Sequence, residues 1–167
     1  MDFCFRVMNQ QEAEEIANDW KYDNIYSFYD MTADKEDFLE FIDSSKRGNK
    51  CFSCYLGNEL FAYYSIDIIE ESEAELGLGL KPDFTGKGHG INFVNSVINH
   101  ATSMYGICSF TLSVALFNER AIKVYKKAGF VEDGVFIQKT NGGDYEFLKM
   151  IKCADSPPVG RFFKECV

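Results

Sequence analysis

No stretch of the chain is apolar for the roughly 18 positions that a membrane-crossing helix needs. The opening Met1-Asp2-Phe3-Cys4-Phe5-Arg6 also lacks a basic segment followed by an apolar one, so neither a span nor a secretory leader is expected. Histidine occurs only at His89 and His100, and the six cysteines are scattered at Cys4, Cys51, Cys54, Cys108, Cys153 and Cys166. The single C-x-x-C, Cys51 to Cys54, has no second pair and no histidine cluster to complete four zinc ligands. No metal is expected, and the cysteines read as small apolar fillers in a reducing compartment. Basic residues are scarce as well: 17 Lys and Arg against 26 Asp and Glu leave a net charge of -9. That balance excludes a nucleic-acid surface, where phosphates demand clustered cations. The expectation is a cytoplasmic protein with no membrane or nucleic-acid partner; a homodimer is left open.

Apolar and aromatic residues are plentiful. Hydrophobic residues make up 46% of the chain and aromatics 16%, with 16 Phe and 9 Tyr. At roughly 150 residues per domain, 167 residues predict one domain with a real core. Charge is unevenly spread: residues 1–80 carry 18 acidic and 6 basic side chains, net -12, while 81–167 carry 8 and 11, net +3. The two halves are therefore expected to face different ligands.

Periodicity and turn chemistry predict the elements. A short strand over 3–7 precedes the capping box Asn9-Gln10-Gln11-Glu12, which opens a helix to about Trp20. The aromatic stretch Tyr22 to Met31 has no clean period and reads as a loop before a helix over 34–43. Gly57-Asn58 joins strands over 51–56 and 60–69, and a further strand covers 73–80. Ile91, Val94, Val97, Ile98, Ala101 and Met104 form the apolar stripe of a long helix. A strand over 110–116, a helix from Asn118 to Gly129, and a hairpin of 131–138 with 145–151 around Asn141-Gly142-Gly143-Asp144 complete the order. Interleaved strands and helices predict an α/β (α+β) domain over 1–152 around one mixed sheet, with 153–167 as a tail after it.

The loop Gly86-Lys87-Gly88-His89-Gly90 lies between a strand and a helix. Glycines let successive N–H groups converge on an anion, and the helix N-terminus adds about half a positive charge, so a phosphate is the natural guest. A plain glycine-rich turn is the competing reading. Neither a Walker loop nor a dinucleotide G-x-G-x-x-G is present.

Leu78-Gly79-Leu80-Lys81-Pro82-Asp83-Phe84-Thr85-Gly86-Lys87-Gly88-His89-Gly90 resembles the acetyl-CoA loop of the GNAT superfamily of N-acetyltransferases. About thirty residues on, Asn118-Glu119-Arg120-Ala121-Ile122-Lys123-Val124-Tyr125-Lys126-Lys127-Ala128-Gly129-Phe130 resembles its N-x-x-A-x-x-x-Y-x-x-x-G-F helix at every named position. Together with the element order the resemblance covers about residues 3–151. It implies a mostly antiparallel sheet splayed at the acetyl-CoA strand, helices on both faces, and transfer of acetyl from acetyl-CoA to a primary amine. Leu78, Gly79, Leu80, Thr85, Gly86, Lys87, Gly88, His89, Gly90, Asn118, Ala121 and Tyr125 are then the implied cofactor-binding residues. Thr85 departs from the family, which usually has Gln or Arg there, and this implies one weaker pyrophosphate contact over an intact backbone cradle.

By the same resemblance Tyr125 donates a proton to the departing thiolate, and backbone amides of Leu78 to Leu80 polarise the acetyl carbonyl. Glu75, in Glu75-Leu76-Gly77-Leu78-Gly79-Leu80-Lys81-Pro82, resembles the base of ribosomal-protein-type acetyltransferases; Glu73 shares its side of the strand and is the runner-up. An ordinary exposed strand carboxylate is the alternative for both. The acidic, aromatic first half predicts a cationic amine acceptor, bound by Tyr26, Phe28, Tyr29 and Glu73. A hydrophobic plug between helices would explain the same aromatics without any substrate. A module that binds acyl-CoA without catalysis, as a sensor or partner-binding domain, is the alternative to an enzyme.

Overall fold

The computed structural model describes residues 2–153. The chain runs β1 (Phe3–Val7), α1 (Gln10–Asp19), two 3-10 turns (Asn24–Tyr29 and Met31–Ala33), α2 (Lys35–Ile42), α3 (Ser44–Arg47), β2 (Cys51–Leu56), β3 (Glu59–Glu70) and β4 (Glu73–Leu80). A 3-10 turn (Pro82–Phe84), α4 (Gly90–Tyr105), β5 (Ser109–Ala115), α5 (Glu119–Lys127), β6 (Val131–Thr140) and β7 (Gly143–Cys153) follow. The strands form one sheet in the order β1-β2-β3-β4-β5-β7-β6. Every ladder is antiparallel except β4 with β5, whose connection crosses over through α4, as a parallel pair requires.

Helices cover both faces. On one, Phe93, Val94, Val97, Ile98 and Ala101 of α4 pack with Phe61, Tyr64, Ile66 and Leu76 of the sheet, with α5 alongside. On the other, Ala13 and Ile16 of α1 and the adjacent Trp20 meet Leu60 and the partly buried Tyr63 and Phe41. The α4 stripe differs at its ends from the sequence expectation: Met104 is 52% exposed, whereas His100 and Thr102 are buried. His100 is a satisfied core residue. Its Nδ1 lies 2.6 Å from the Tyr64 hydroxyl, its ring stacks on Phe5 at 4.6 Å, and burial lowers its pKa to about 4.

The capping box at α1 forms as read, and does more than cap. Glu12 is buried, and its carboxylate accepts from Asn9 N, Ser53 Oγ, Tyr55 OH and Arg6 at 2.7–3.0 Å. Arg6 lies over the Tyr55 ring at 4.0 Å. One acid thus ties α1 to both β1 and β2.

The turn expected over Asn141 to Asp144 is tighter, just Asn141-Gly142, because both adopt positive φ (50° and 73°), as a two-residue hairpin requires. It is anchored across the molecule: Asn141 N donates to Asp34 and its side chain to the Phe28 carbonyl. Cys51 and Cys54 are buried free thiols, as the filler reading expects, but Cys4 is disulfide-bonded and departs from it. Among the described residues no helix is long and apolar enough to cross a membrane. The expected tail contributes Cys153 to the end of β7; 154–167 lie outside the described residues.

Candidate active site

A cleft opens where the parallel ladder stops. β4 pairs with β5 only from Glu73↔Ser109 to Glu75↔Thr111, while its other edge stays paired to β3 up to Leu80. The two strands part beyond Glu75, and Leu76 to Leu80 present a backbone edge, facing Leu112, Ser113 and Val114, to a space of about 460 Å³. Glycines keep this stretch accessible. A Cβ on Gly79 would fall 2.2 Å from the Tyr63 ring and one on Gly77 2.5 Å from Ser65 Oγ, so neither position admits a side chain without moving its neighbour.

One end of the cleft is the glycine loop. Gly86 and Gly88 sit at φ +74° and +84°, a conformation that favours glycine, and nothing lies within 4 Å of a Cβ placed on Gly88. Gly90 begins α4 against Val124, with a Cβ position 3.1 Å from that side chain, which seats α5 beside the loop. The Thr85 hydroxyl donates to the Pro82 carbonyl at 2.8 Å and holds the turn into the loop. His89 lies edge-on to Phe61 and Phe84. An open loop of positive-φ glycines at the start of a 16-residue helix fits a pyrophosphate.

The middle of the cleft holds Tyr125. Burial raises its phenol well above the ordinary range, reinforced by Tyr29 and Tyr63, so it is protonated at neutral pH. Asn118 caps α5, its Oδ1 accepting from Ala121 N at 3.1 Å, and so sets the height at which Tyr125 projects.

The far end is walled by tyrosines. Tyr22 donates to the Leu80 carbonyl at 2.8 Å, and the Tyr29 hydroxyl accepts from Ala115 N at 3.1 Å. The Tyr63 phenol is pushed up to about 12 by burial, with Cys51 and Asp37 adding to the rise. Acidic groups stand behind this wall. Asp30 accepts from Tyr22 N, and partial burial with Asp34, Glu40 and Glu36 nearby raises the Asp37 carboxyl above its usual range.

Of the residues singled out from sequence, Leu78, Gly79, Leu80, Thr85, Gly86, Gly88, His89, Gly90, Asn118, Ala121, Tyr125, Tyr26 and Tyr29 line the cleft. Lys87 does not, and neither do Glu73 and Glu75, which are exposed on β4 before the strands part. Phe28 is outside too: it packs edge-on to Tyr29, Phe117 and Tyr145, the plug rather than the binding surface. Among the described residues the lining contains no carboxylate. Arg120 and Lys127, which the basic run over 118–130 offers as charge for an anionic cofactor, also line the cleft; sequence reading missed Tyr22, Tyr63 and Ser113. Of these only Tyr63 left a usable signal, an aromatic in a strand that pairs with a glycine-containing one.

The model of the acetyltransferase (GNAT) family matches residues 11–130. A spermidine N(1)-acetyltransferase of Vibrio cholerae is 26% identical over 89 residues, 53% of this chain and 51% of that protein, so the aligned part spans about half of the relative's length. Among solved structures, a spermidine N-acetyltransferase chimera from Vibrio cholerae superimposes with a TM-score of 0.74 at 20% identity, covering 92% of this chain and 96% of that one. The Vibrio cholerae enzyme in complex with CoA and spermine gives 0.70 at 19% identity, covering 90% and 95%. A GNAT-family acetyltransferase from Bacillus anthracis gives 0.70 at 15%, covering 92% and 95%.

Proposed function

Because the chain belongs to the GNAT family of acetyltransferases, we propose that it transfers acetyl directly from acetyl-CoA to a primary amine, and that the acceptor is a flexible organic cation of the polyamine kind. The observation that carries this reading is the splay of β4 from β5, which places an exposed backbone edge between the Gly86–Gly90 loop and the protonated Tyr125. Glycine amides and the start of α4 hold the pyrophosphate. N–H groups along Leu78 to Leu80 polarise the thioester carbonyl as an oxyanion hole does. Tyr125 protonates the leaving sulfur. On the acceptor side, tyrosine faces backed by Asp30 and Asp37 suit an extended cation, and spermidine and spermine are named for the relatives above.

The test is release of free CoA thiol from acetyl-CoA over a panel of polyamines, aminoglycosides, peptide amines and neutral amines. Polyamines are expected to turn over fastest, with an apparent KM that rises with salt, because the Debye length shrinks to about 8–10 Å at 0.1–0.15 M. CoA binding without turnover of any amine would refute the enzyme reading, and equal rates on neutral amines would refute the cationic acceptor.

The ammonium of such an acceptor must lose a proton before it attacks, yet no carboxylate lines the cleft. Glu75 takes that proton through water. It lies on the same side of β4 as Gly77 and Gly79, two residues before the lining glycine, about 7 Å along the strand. Glu75→Gln is expected to lower the rate most at neutral pH and to recover at high pH, where the amine deprotonates unaided. A pH profile parallel to that of wild type would remove Glu75 from this role.

A further inference from the structure

The glycine loop supplies backbone donors but little charge of its own facing the cleft. Thr85 is uncharged and its hydroxyl proton is committed to the Pro82 carbonyl; Lys87 lies outside the lining. A pyrophosphate carries two negative charges, and backbone amides alone leave them unneutralised. A guanidinium stands beside the loop from a different element. Arg120, in the first turn of α5, lines the cleft, and its Nη1 is 3.9 Å from the position of a Cβ on Gly86. Its Cζ lies over the Tyr26 ring, 4.1 Å from the centroid. Among the described residues Arg120 forms no ion pair and donates no hydrogen bond; the adjacent Glu119 pairs with Lys123 instead.

Resting on the acetyl-CoA reading of the cleft, we propose that Arg120, held over the Tyr26 ring, is the phosphate-binding side chain of this site and supplies from α5 the charge that Thr85 does not. A guanidinium stacked on an aromatic face keeps its planar fork of N–H donors free at the edge, and that fork matches two phosphate oxygens. The stack also restricts the long side chain before the ligand arrives, so less rotamer freedom is lost on binding. Lys127, about two helical turns further along α5, lines the same cleft and adds a second cation without a fork. Tyr26 then acts as a positioning residue for the cofactor. This differs from the amine-binding role that sequence reading assigned to it, and it links the 24–29 turn to the phosphate loop.

The experiment compares two ligands on the purified full chain by calorimetry: CoA, and S-acetylpantetheine, which has the thioester arm but no phosphate. Arg120→Met is expected to weaken CoA by about tenfold or more, the range of a charge-assisted hydrogen-bonded pair, while S-acetylpantetheine stays within twofold. Arg120→Lys keeps the charge but loses the fork, and should fall between wild type and Arg120→Met. Tyr26→Leu should weaken CoA in the same direction by a few fold, again sparing S-acetylpantetheine. CoA affinity within twofold of wild type in Arg120→Met, or an equal loss for both ligands, overturns the proposal. A wild-type chain that binds neither ligand overturns the acetyl-CoA reading itself, and is distinguished in that way from a failure of Arg120 alone.

Discussion

Replacing Tyr125 with phenylalanine is expected to lower kcat by about a hundredfold or more, the usual yield of a positioned general acid, while acetyl-CoA binds as before. The change removes one oxygen from a ring that otherwise keeps its packing, including the edge contact to Phe130 at 5.9 Å. Burial keeps that oxygen protonated far into the alkaline range, so wild type should show no loss of activity from Tyr125 ionisation up to pH 9. Without the hydroxyl the sulfur must leave as an unsolvated thiolate in a largely apolar cleft, where an uncompensated charge is costly. Only the transition state and product feel this, which is why kcat falls and the acetyl-CoA Kd, read by calorimetry, does not. A variant with kcat within threefold of wild type would exclude Tyr125 as the acid. A variant whose Kd and kcat fell together would make it a packing residue.

Removal of the Glu12 carboxylate should have the largest effect on stability. Glu12→Ala would leave the buried Ser53 hydroxyl without its acceptor, release the half-exposed Arg6 to water, and untie α1 from β1 and β2. Because Arg6 is half exposed and regains water, the cost is that of the lost charge-assisted hydrogen bonds and the orphaned hydroxyl, about 2–4 kcal/mol, which at 2–4 °C per kcal/mol corresponds to a Tm lower by about 10 °C. Glu12→Gln keeps the shape but loses the charge, and should cost about 1–3 kcal/mol. The pH dependence follows from the direction of the pKa shift. Burial opposes ionisation of Glu12, but bonds from Ser53, the Asn9 amide, Tyr55 and Arg6 outweigh it and lower the folded pKa below the ordinary glutamate value. The stabilisation is therefore complete above the unfolded pKa, near 4.5, and is lost as pH falls through the folded value. Thermal melts of wild type and Glu12→Gln should differ most at pH 6–7 and converge in acid. A gap that stayed constant down to pH 3 would show that the ionised carboxylate is not what the native state uses.

The parts of the cleft that were legible in the sequence are those whose chemistry is local. A glycine pair at positive φ followed by a helix, and an Asn three residues before an Ala at a helix start, each express their geometry within a few positions, so Gly86, Gly88, Asn118 and Tyr125 were found from residue spacing and family resemblance and do line the cleft. The acceptor end was legible only in outline. Tyr29 lines it, whereas Tyr26 sits under Arg120 beside the glycine loop and Phe28 between them turns into the aromatic cluster of Phe117, Tyr145 and Phe147. Neighbours in a 3-10 turn point to different sides, and a stretch without a period offers no way to assign those sides.

The order of the strands and longer helices, the turns at Gly57-Asn58 and Asn141-Gly142 and the capping box were determined by the one-dimensional pattern, because backbone propensities, caps and positive-φ positions act over a handful of residues. Three features were decided only when the chain closed on itself. The bulge between Ile68 and Glu70 slips the β3–β4 ladder by one place, so that Tyr63, rather than the Tyr64 that a plain turn at Glu71-Ser72 would bring, stands opposite Gly79; a one-residue slip exchanges the faces of a strand. The parting of β4 from β5 after Glu75 leaves that acid behind the mouth of the cleft. And Glu12, whose sequence context announces only a helix cap, becomes the shared acceptor of Arg6, Ser53 and Tyr55 because the sheet order brings β1 and β2 under α1. Apart from Arg6 with Glu12, these pairings join residues 16 to 43 positions apart, are set by the balance of burial over the whole domain, and are encoded by no local propensity.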